Sequence, residues 1–156
     1  MTKKIAIFPG SFHPIHEGHI NIIIRASKLF DKLYVVICYN TEKNDQTPMD
    51  IRYKNTVEAI KKLHLKNVEV VVNNGLTIKF AKKLKCNYIV RSIRNPLDFK
   101  YELNIAQVHH MLDSSIETIL LISSKELAKK SSTNIRKIQS KLNQIKKGNK
   151  QYGSNT

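Results

Sequence analysis

The residues of this chain that could do chemistry gather in a few short stretches, and the first is the densest. His16-Glu17-Gly18-His19 sets two imidazoles three residues apart, directly behind an apolar run over residues 4–8 that Pro9-Gly10 closes. That run is short and β-branched, and it reads as a buried parallel strand. Residues 18–30 carry Ile20, Ile22, Ile23, Ile24, Ala26, Leu29 and Phe30, and read as a mostly buried helix. A strand, a glycine-containing turn and a helix start make an anion site, because free backbone N–H groups and the positive helix end face the ligand. At that opening His16 and His19, about one helical turn apart, would both offer imidazole N–H donors to one phosphate.

Two further stretches carry the same chemistry. Arg91-Ser92-Ile93-Arg94 follows an apolar run over 87–90 and leads into Asp98-Phe99-Lys100-Tyr101-Glu102. Two arginines at a strand's carboxyl end suit phosphate, since guanidinium forks match its oxygens and are costly to bury unpaired. Ser131-Ser132-Thr133-Asn134-Ile135-Arg136 opens a helical segment over 131–147. Its hydroxyls and backbone N–H groups could hold the outer phosphates of a triphosphate, although helix capping alone would also explain them.

The elements that must position these groups alternate regularly. Strands are predicted over 4–8, 33–39, 68–72, 87–90 and 117–122, and helices over 18–30, 49–63, 77–84, 98–112 and 131–147. In the helix over 49–63, Tyr53, Val57 and Ile60 share one face. Such alternation argues for a doubly wound α/β fold of Rossmann-like kind, a five-stranded parallel sheet with helices on both faces in a single domain. Ligands bind beyond the carboxyl ends of the strands in such sheets, where the motifs above fall. Residues 1–147 are expected as the domain, and 148–156, polar and rich in Gly, Asn and Ser, as a flexible tail.

Bulk properties narrow the class. At 156 residues, 41% hydrophobic and 25% charged, the chain suits one soluble domain. No run is long and apolar enough to span a membrane, and the N-terminus lacks a secretion signal's apolar core. Cys38 and Cys86 sit in or beside apolar runs, fill core space better than they suit a disulfide, and fit a cytoplasmic setting. No zinc spacing or carboxylate cage is visible, so no protein-held metal is expected. The net charge of +15 admits a second class of reading, a basic nucleic-acid-binding protein. The lysines, however, are spread over predicted helix faces, without an arginine-rich or aromatic-interleaved stretch. That spread suits the attraction of polyanionic small molecules.

The stretch 10–19 resembles the first motif of the nucleotidyltransferase superfamily, His-x-Gly-His, here His16-Glu17-Gly18-His19. Residues 89–112 resemble one subfamily, the phosphopantetheine adenylyltransferases, in Arg91, Arg94, Asp98, Phe99, Tyr101 and Glu102. The resemblance implies reversible adenylyl transfer from ATP to 4′-phosphopantetheine, with Mg²⁺ accompanying ATP, and a homohexamer. It implies reacting-phosphate contacts by His19, Lys43 and Arg91, with Ser11, Lys43, Leu76, Thr77 and Arg91 on the acceptor. ATP would meet Ser11, Phe12, His16, Gly18, His19, Arg94, Glu102, Ser131, Ser132 and Thr133. Departures point elsewhere: His13 stands where the family has Asp, His16 where this subfamily has Thr, and Ser92 where it has Gly. His16 and the Ser-Ser-Thr-x-Ile-Arg form lean toward nicotinamide mononucleotide adenylyltransferases, the alternative acceptor class.

Overall fold

The computed structural model describes residues 2–39, 47–124 and 132–152. The first compact unit, Met1–Ser123, holds the α/β domain, and the second is Ser124–Thr156. In the first unit the elements run β1 Ile5–Gly10, α1 Glu17–Leu29, β2 Lys32–Cys38, α2 Met49–Lys61, β3 Val68–Asn73, α3 Thr77–Lys83, β4 Tyr88–Ile93, α4 Pro96–Leu112 and β5 Glu117–Ile122. The second carries α5, Ser132–Tyr152.

The five strands form one parallel sheet in the order β3-β2-β1-β4-β5. Strand alternation sorts the side chains to two faces. On one, Ala6, Phe8, Val35, Ile37, Val70 and Val90 pack with Ile22, Ile23 and Ala26 of α1 and Ile60 of α2. On the other, Ile7, Val36 and Ile89 pack with Ile78 and Ala81 of α3. Arg91 follows Val90, so it points to this second face, where Glu102 of α4 meets it.

The order reverses between β1 and β4, the position where such sheets open a crevice. The opening has a local cause. β1 pairs with β2 over six residues, but with β4 only at Ala6–Tyr88 and Ile7–Ile89. Pro9 then has no N–H to give, and its carbonyl accepts from the Arg91 side chain instead. The strands part where the arginine enters.

Several elements differ from the sequence-based expectations. β4 extends to Ile93, which puts Arg91 inside the strand, in register with Leu120. α4 starts at Pro96 because the Asn95 side chain accepts from Asp98 N–H and Pro96 suits the first turn. α1 buries Ile22, Ile23, Ala26 and Ser27 but leaves Leu29 exposed, so it is half-buried and not mostly buried. The buried face of α2 is Arg52, Thr56 and Ile60, while Tyr53 is exposed. α5 continues through Gly148 to Tyr152, past the expected end at Lys147. One helical glycine costs about 1 kcal/mol, too little by itself to stop a helix of this length.

Candidate active site

Two clefts open at the parting of β1 and β4. The first, about 380 Å³, is lined among others by His16, His19, Ser92, Arg94, Asp98 and Glu102. The second, about 430 Å³, is lined among others by Cys38, Tyr39, Thr77, Ile105 and His109. They share Pro9, Gly10, Ser11, Arg91 and Tyr101. The site is therefore two lobes with one common wall, and that wall carries the end of β1 and a guanidinium.

Arg91 is held from three sides. Its Nε donates to Glu102 Oε2 at 2.9 Å, its Nη2 to Glu102 Oε1 at 2.7 Å, and its Nη1 to Pro9 O at 2.7 Å. Three of its five N–H groups are thereby used, and two remain to meet an anion. Burial works against the charge, but the hydrogen bonds and charge of Glu102 outweigh it, so the pKa of Arg91 is raised. It stays a cation at any pH of interest. Glu102, which the resemblance puts on the nucleotide, has both oxygens engaged with Arg91 and is itself 5% exposed. Both its oxygens hold the Arg91 guanidinium.

The two imidazoles are ordered by the helix start they cap. His16 Nδ1 accepts from Gly18 N–H at 3.0 Å, and His19 Nδ1 accepts from His16 N–H at 3.2 Å. This reciprocal pattern is a capping box built from histidines. The rings stack at 3.7 Å between centroids, and His19 also lies 4.8 Å from the Phe12 ring. With Nδ1 an acceptor, the proton of neutral His19 sits on Nε2. Burial, then the nearby charges of His16 and Arg94, lower its pKa to about 4. At neutral pH His19 is an uncharged N–H donor lining the first lobe.

Gly18 has a specific steric reason. A Cβ there would lie 2.8 Å from His16 Cε1 and 3.0 Å from His16 Nδ1. Any side chain displaces the imidazole that caps the helix. The glycine of His16-Glu17-Gly18-His19 makes room for the histidine two residues before it.

Other expected residues fall as follows. Ser11 stands on the common wall, Arg94 and Gly18 in the first lobe, and Thr77 in the second. Arg94 donates through Nε to Asp98 Oδ2 at 3.0 Å. Phe12 lines neither lobe: it is 1% exposed, with its ring edge-on to Phe8. Its φ of 47° is left-handed, costing roughly 1–2 kcal/mol, which burial of a phenyl ring, worth about 1.5–3 kcal/mol, offsets. Phe12 thus supports His19 from beneath, and only its backbone could reach a ligand. Leu76 is exposed at the start of α3 and lines neither lobe. Lys43 and Ser131 lie outside the described residues, while Ser132 and Thr133 open α5 in the second unit.

Some lining residues had no place in the sequence reading of the site. Cys38 ends β2 in the second lobe, with its thiol pKa raised by burial. His109 lines the same lobe, and among the described residues its buried Nδ1 has no hydrogen-bond partner. Both look in sequence like ordinary core or helix-surface positions. Only the strand end and the fourth turn of α4 bring them to the cleft.

A parallel sheet with a cleft lined by arginines and histidines at its topological switch defines an α/β protein of the kind that takes ligands at its strand ends, and residues 7–138 match the cytidylyltransferase-like family. Curated relatives sharpen this. The chain is 42% identical over 139 residues to a phosphopantetheine adenylyltransferase of Streptococcus pneumoniae, covering 88% of this chain and 85% of the relative. It is 41% identical to that of Mycoplasma capricolum, covering 87% and 96%. The chain belongs to the cytidylyltransferase-like family and, within it, to the phosphopantetheine adenylyltransferases. Among solved structures, a putative nicotinate-nucleotide adenylyltransferase from Vibrio parahaemolyticus superposes with a TM-score of 0.61, covering 87% of this chain and 80% of that one. At 20% identity it shares the fold alone, and it lends the nicotinamide mononucleotide alternative no weight.

Proposed function

We infer that this chain transfers the adenylyl group of ATP to 4′-phosphopantetheine, reversibly, giving dephospho-coenzyme A and pyrophosphate in coenzyme A biosynthesis. The observation that carries the reading is the common wall: two lobes meet at Gly10, Ser11 and Arg91. A nucleotide in the first lobe and an acceptor in the second would bring their phosphates together there.

An oxygen of the acceptor phosphate attacks the α-phosphorus, a new P–O bond forms, and the bond to the β-phosphate breaks with pyrophosphate leaving. The nucleophile is already an anion, so no general base is needed. The protein's contribution is alignment and charge stabilisation. Arg91, aimed by Glu102, offers its two remaining N–H groups to both reacting anions. His19 Nε2–H donates to oxygens of the nucleotide phosphates without adding charge. Ser11 holds a phosphate at the boundary. By the resemblance alone, Lys43, Arg94, Ser131, Ser132 and Thr133 would add triphosphate contacts.

Mg²⁺ enters as part of the substrate, MgATP. Among the described residues no group of three or more His, Cys, Asp or Glu could hold a metal, and the cleft carboxylates Asp98 and Glu102 are bonded to Arg94 and Arg91. In this reading the ion would be carried by the phosphates of ATP.

The reading includes a homohexamer and a cytoplasmic setting. Met111, Leu112, Leu97 and Ile122 are exposed apolar side chains on α4 and β5, a surface suited to burial between copies. No described helix is long and apolar enough to cross a membrane, and both cysteines are free thiols. The test of the reaction is pyrophosphate release from ATP with 4′-phosphopantetheine and, separately, nicotinamide mononucleotide. Turnover with the first alone supports the reading; turnover with the second alone replaces it.

A further inference from the structure

Arg52 is 2% exposed, and among the described residues no carboxylate pairs with it. Burying a guanidinium without a counter-ion is unfavourable unless its donors are met. Here three of its five N–H groups meet backbone carbonyls of three separate segments. Nε donates to Thr47 O at 2.9 Å, and Nη1 donates to Ser11 O at 2.8 Å and to Cys38 O at 3.3 Å. Thr47 is gripped from a second side, because its N–H donates to His13 Nδ1 at 3.0 Å. Ser11 and His13 belong to the turn between β1 and α1, Cys38 ends β2, and Thr47 precedes α2. Neither Arg52 nor His13 lines a lobe of the cleft, whereas Ser11 lines both and Cys38 lines the second.

We propose that Arg52 and His13 are positioning residues that clamp the Ser11 turn to the end of β2 and the start of α2, and so hold the common wall in place. A buried apolar side chain of similar size would pack as well and avoid desolvating a charge. What it could not do is bind three converging carbonyls. Holding Ser11 O on the buried side also turns Phe12 N–H the opposite way, because the peptide between them is trans and planar. His13 completes the clamp as a hydrogen-bond acceptor. That is a task an aspartate or asparagine oxygen at the same position can also perform, so the departure at His13 keeps the clamp.

The kinetic arm of the test rests on the adenylyl-transfer reading, while the exchange arm does not. Arg52→Met, Arg52→Lys, His13→Phe and His13→Asn are compared with wild type by amide hydrogen exchange and by steady-state kinetics with ATP and 4′-phosphopantetheine. In Arg52→Met and His13→Phe, exchange rises about tenfold or more in the peptides containing Phe12 and Thr47, with β3 and α1 unchanged. kcat falls about tenfold or more, and the KM for the acceptor rises more than that for ATP. His13→Asn restores both, and Arg52→Lys, which keeps the charge but not the fork, falls between. Unchanged exchange at Phe12 and Thr47 overturns the clamp. So does an equal rise across β3 and α1, or His13→Asn behaving like His13→Phe. If wild type shows the local protection but no turnover, the functional reading fails and the clamp stands.

Discussion

Glu102 meets Arg91 through both carboxylate oxygens, at 2.9 Å from Nε and 2.7 Å from Nη2, across 11 residues that lead from β4 into α4. The pair turns a flexible cation into a fixed fork on the wall between two lobes. Glu102→Gln keeps the size and one acceptor but loses the charge. It should lower stability by about 1–3 kcal/mol in urea unfolding and reduce kcat/KM about tenfold, because the fork can swing. Arg91→Met should cost more, about 3–5 kcal/mol, since it strands Glu102 buried without its partner. Full activity in a folded Glu102→Gln variant would show that the fork's aim does not matter.

His19 donates through Nε2 only because its Nδ1 accepts from the His16 backbone. Replacing it with alanine removes one charge-stabilising donor, for which the expected loss in kcat is about 10²–10³. Single-turnover pyrophosphate release on a variant with an unchanged circular dichroism spectrum is the check. Near-normal turnover would remove His19 from the mechanism.

The same histidine makes stability depend on pH with a definite sign. Burial, then His16 and Arg94, hold its pKa at about 4 in the folded chain, against 6.5 when exposed. Between those values the unfolded chain binds the proton and the folded chain does not. Stability is complete above pH 6.5 and is lost progressively as pH falls toward about 4. The difference in unfolding free energy between wild type and His19→Asn, followed from pH 7 to 4, isolates this group from the carboxylates. The difference should shrink on acidification; a flat difference contradicts the assignment.

Gly18 sits where a Cβ would come within 2.8 Å of the His16 ring. Because the ring ends a side chain that can rotate away, Gly18→Ala should unseat the cap at a modest cost of about 0.5–2 kcal/mol. It should lower kcat/KM more than stability suggests, since the His16–His19 stack goes with the cap. Thermal unfolding and kinetics on the same preparation separate the two effects.

The sheet, the alternation of elements and the turn that sets two histidines at a helix start were legible because each rests on local signals: short β-branched runs, a proline–glycine stop and a histidine pair at helical spacing. That Arg91 and His19 come to one cleft was legible for the same reason, since both are polar groups next to strand ends. Arg52 was not. In sequence it is one cation on a helix whose apolar spacing points to Tyr53 as the buried neighbour, and among the described residues its partners are carbonyls of three separate segments, which the sequence does not show. Glu102 was visible, but its task depends on which strand face Arg91 occupies. The start of α4 was missed although Asn95-Pro96 is a capping signal, because the motif beginning at Asp98 drew the boundary inward.

The claim everything else depends on is that one guanidinium touches both anions. Equilibrium titration of Arg91→Lys with ATP alone and with 4′-phosphopantetheine alone tests it directly, because lysine keeps the charge and can still pair with Glu102 but lacks the fork. The account predicts that both affinities fall, each by about tenfold or more. A loss confined to one ligand, with the other bound as tightly as in wild type, contradicts a shared wall.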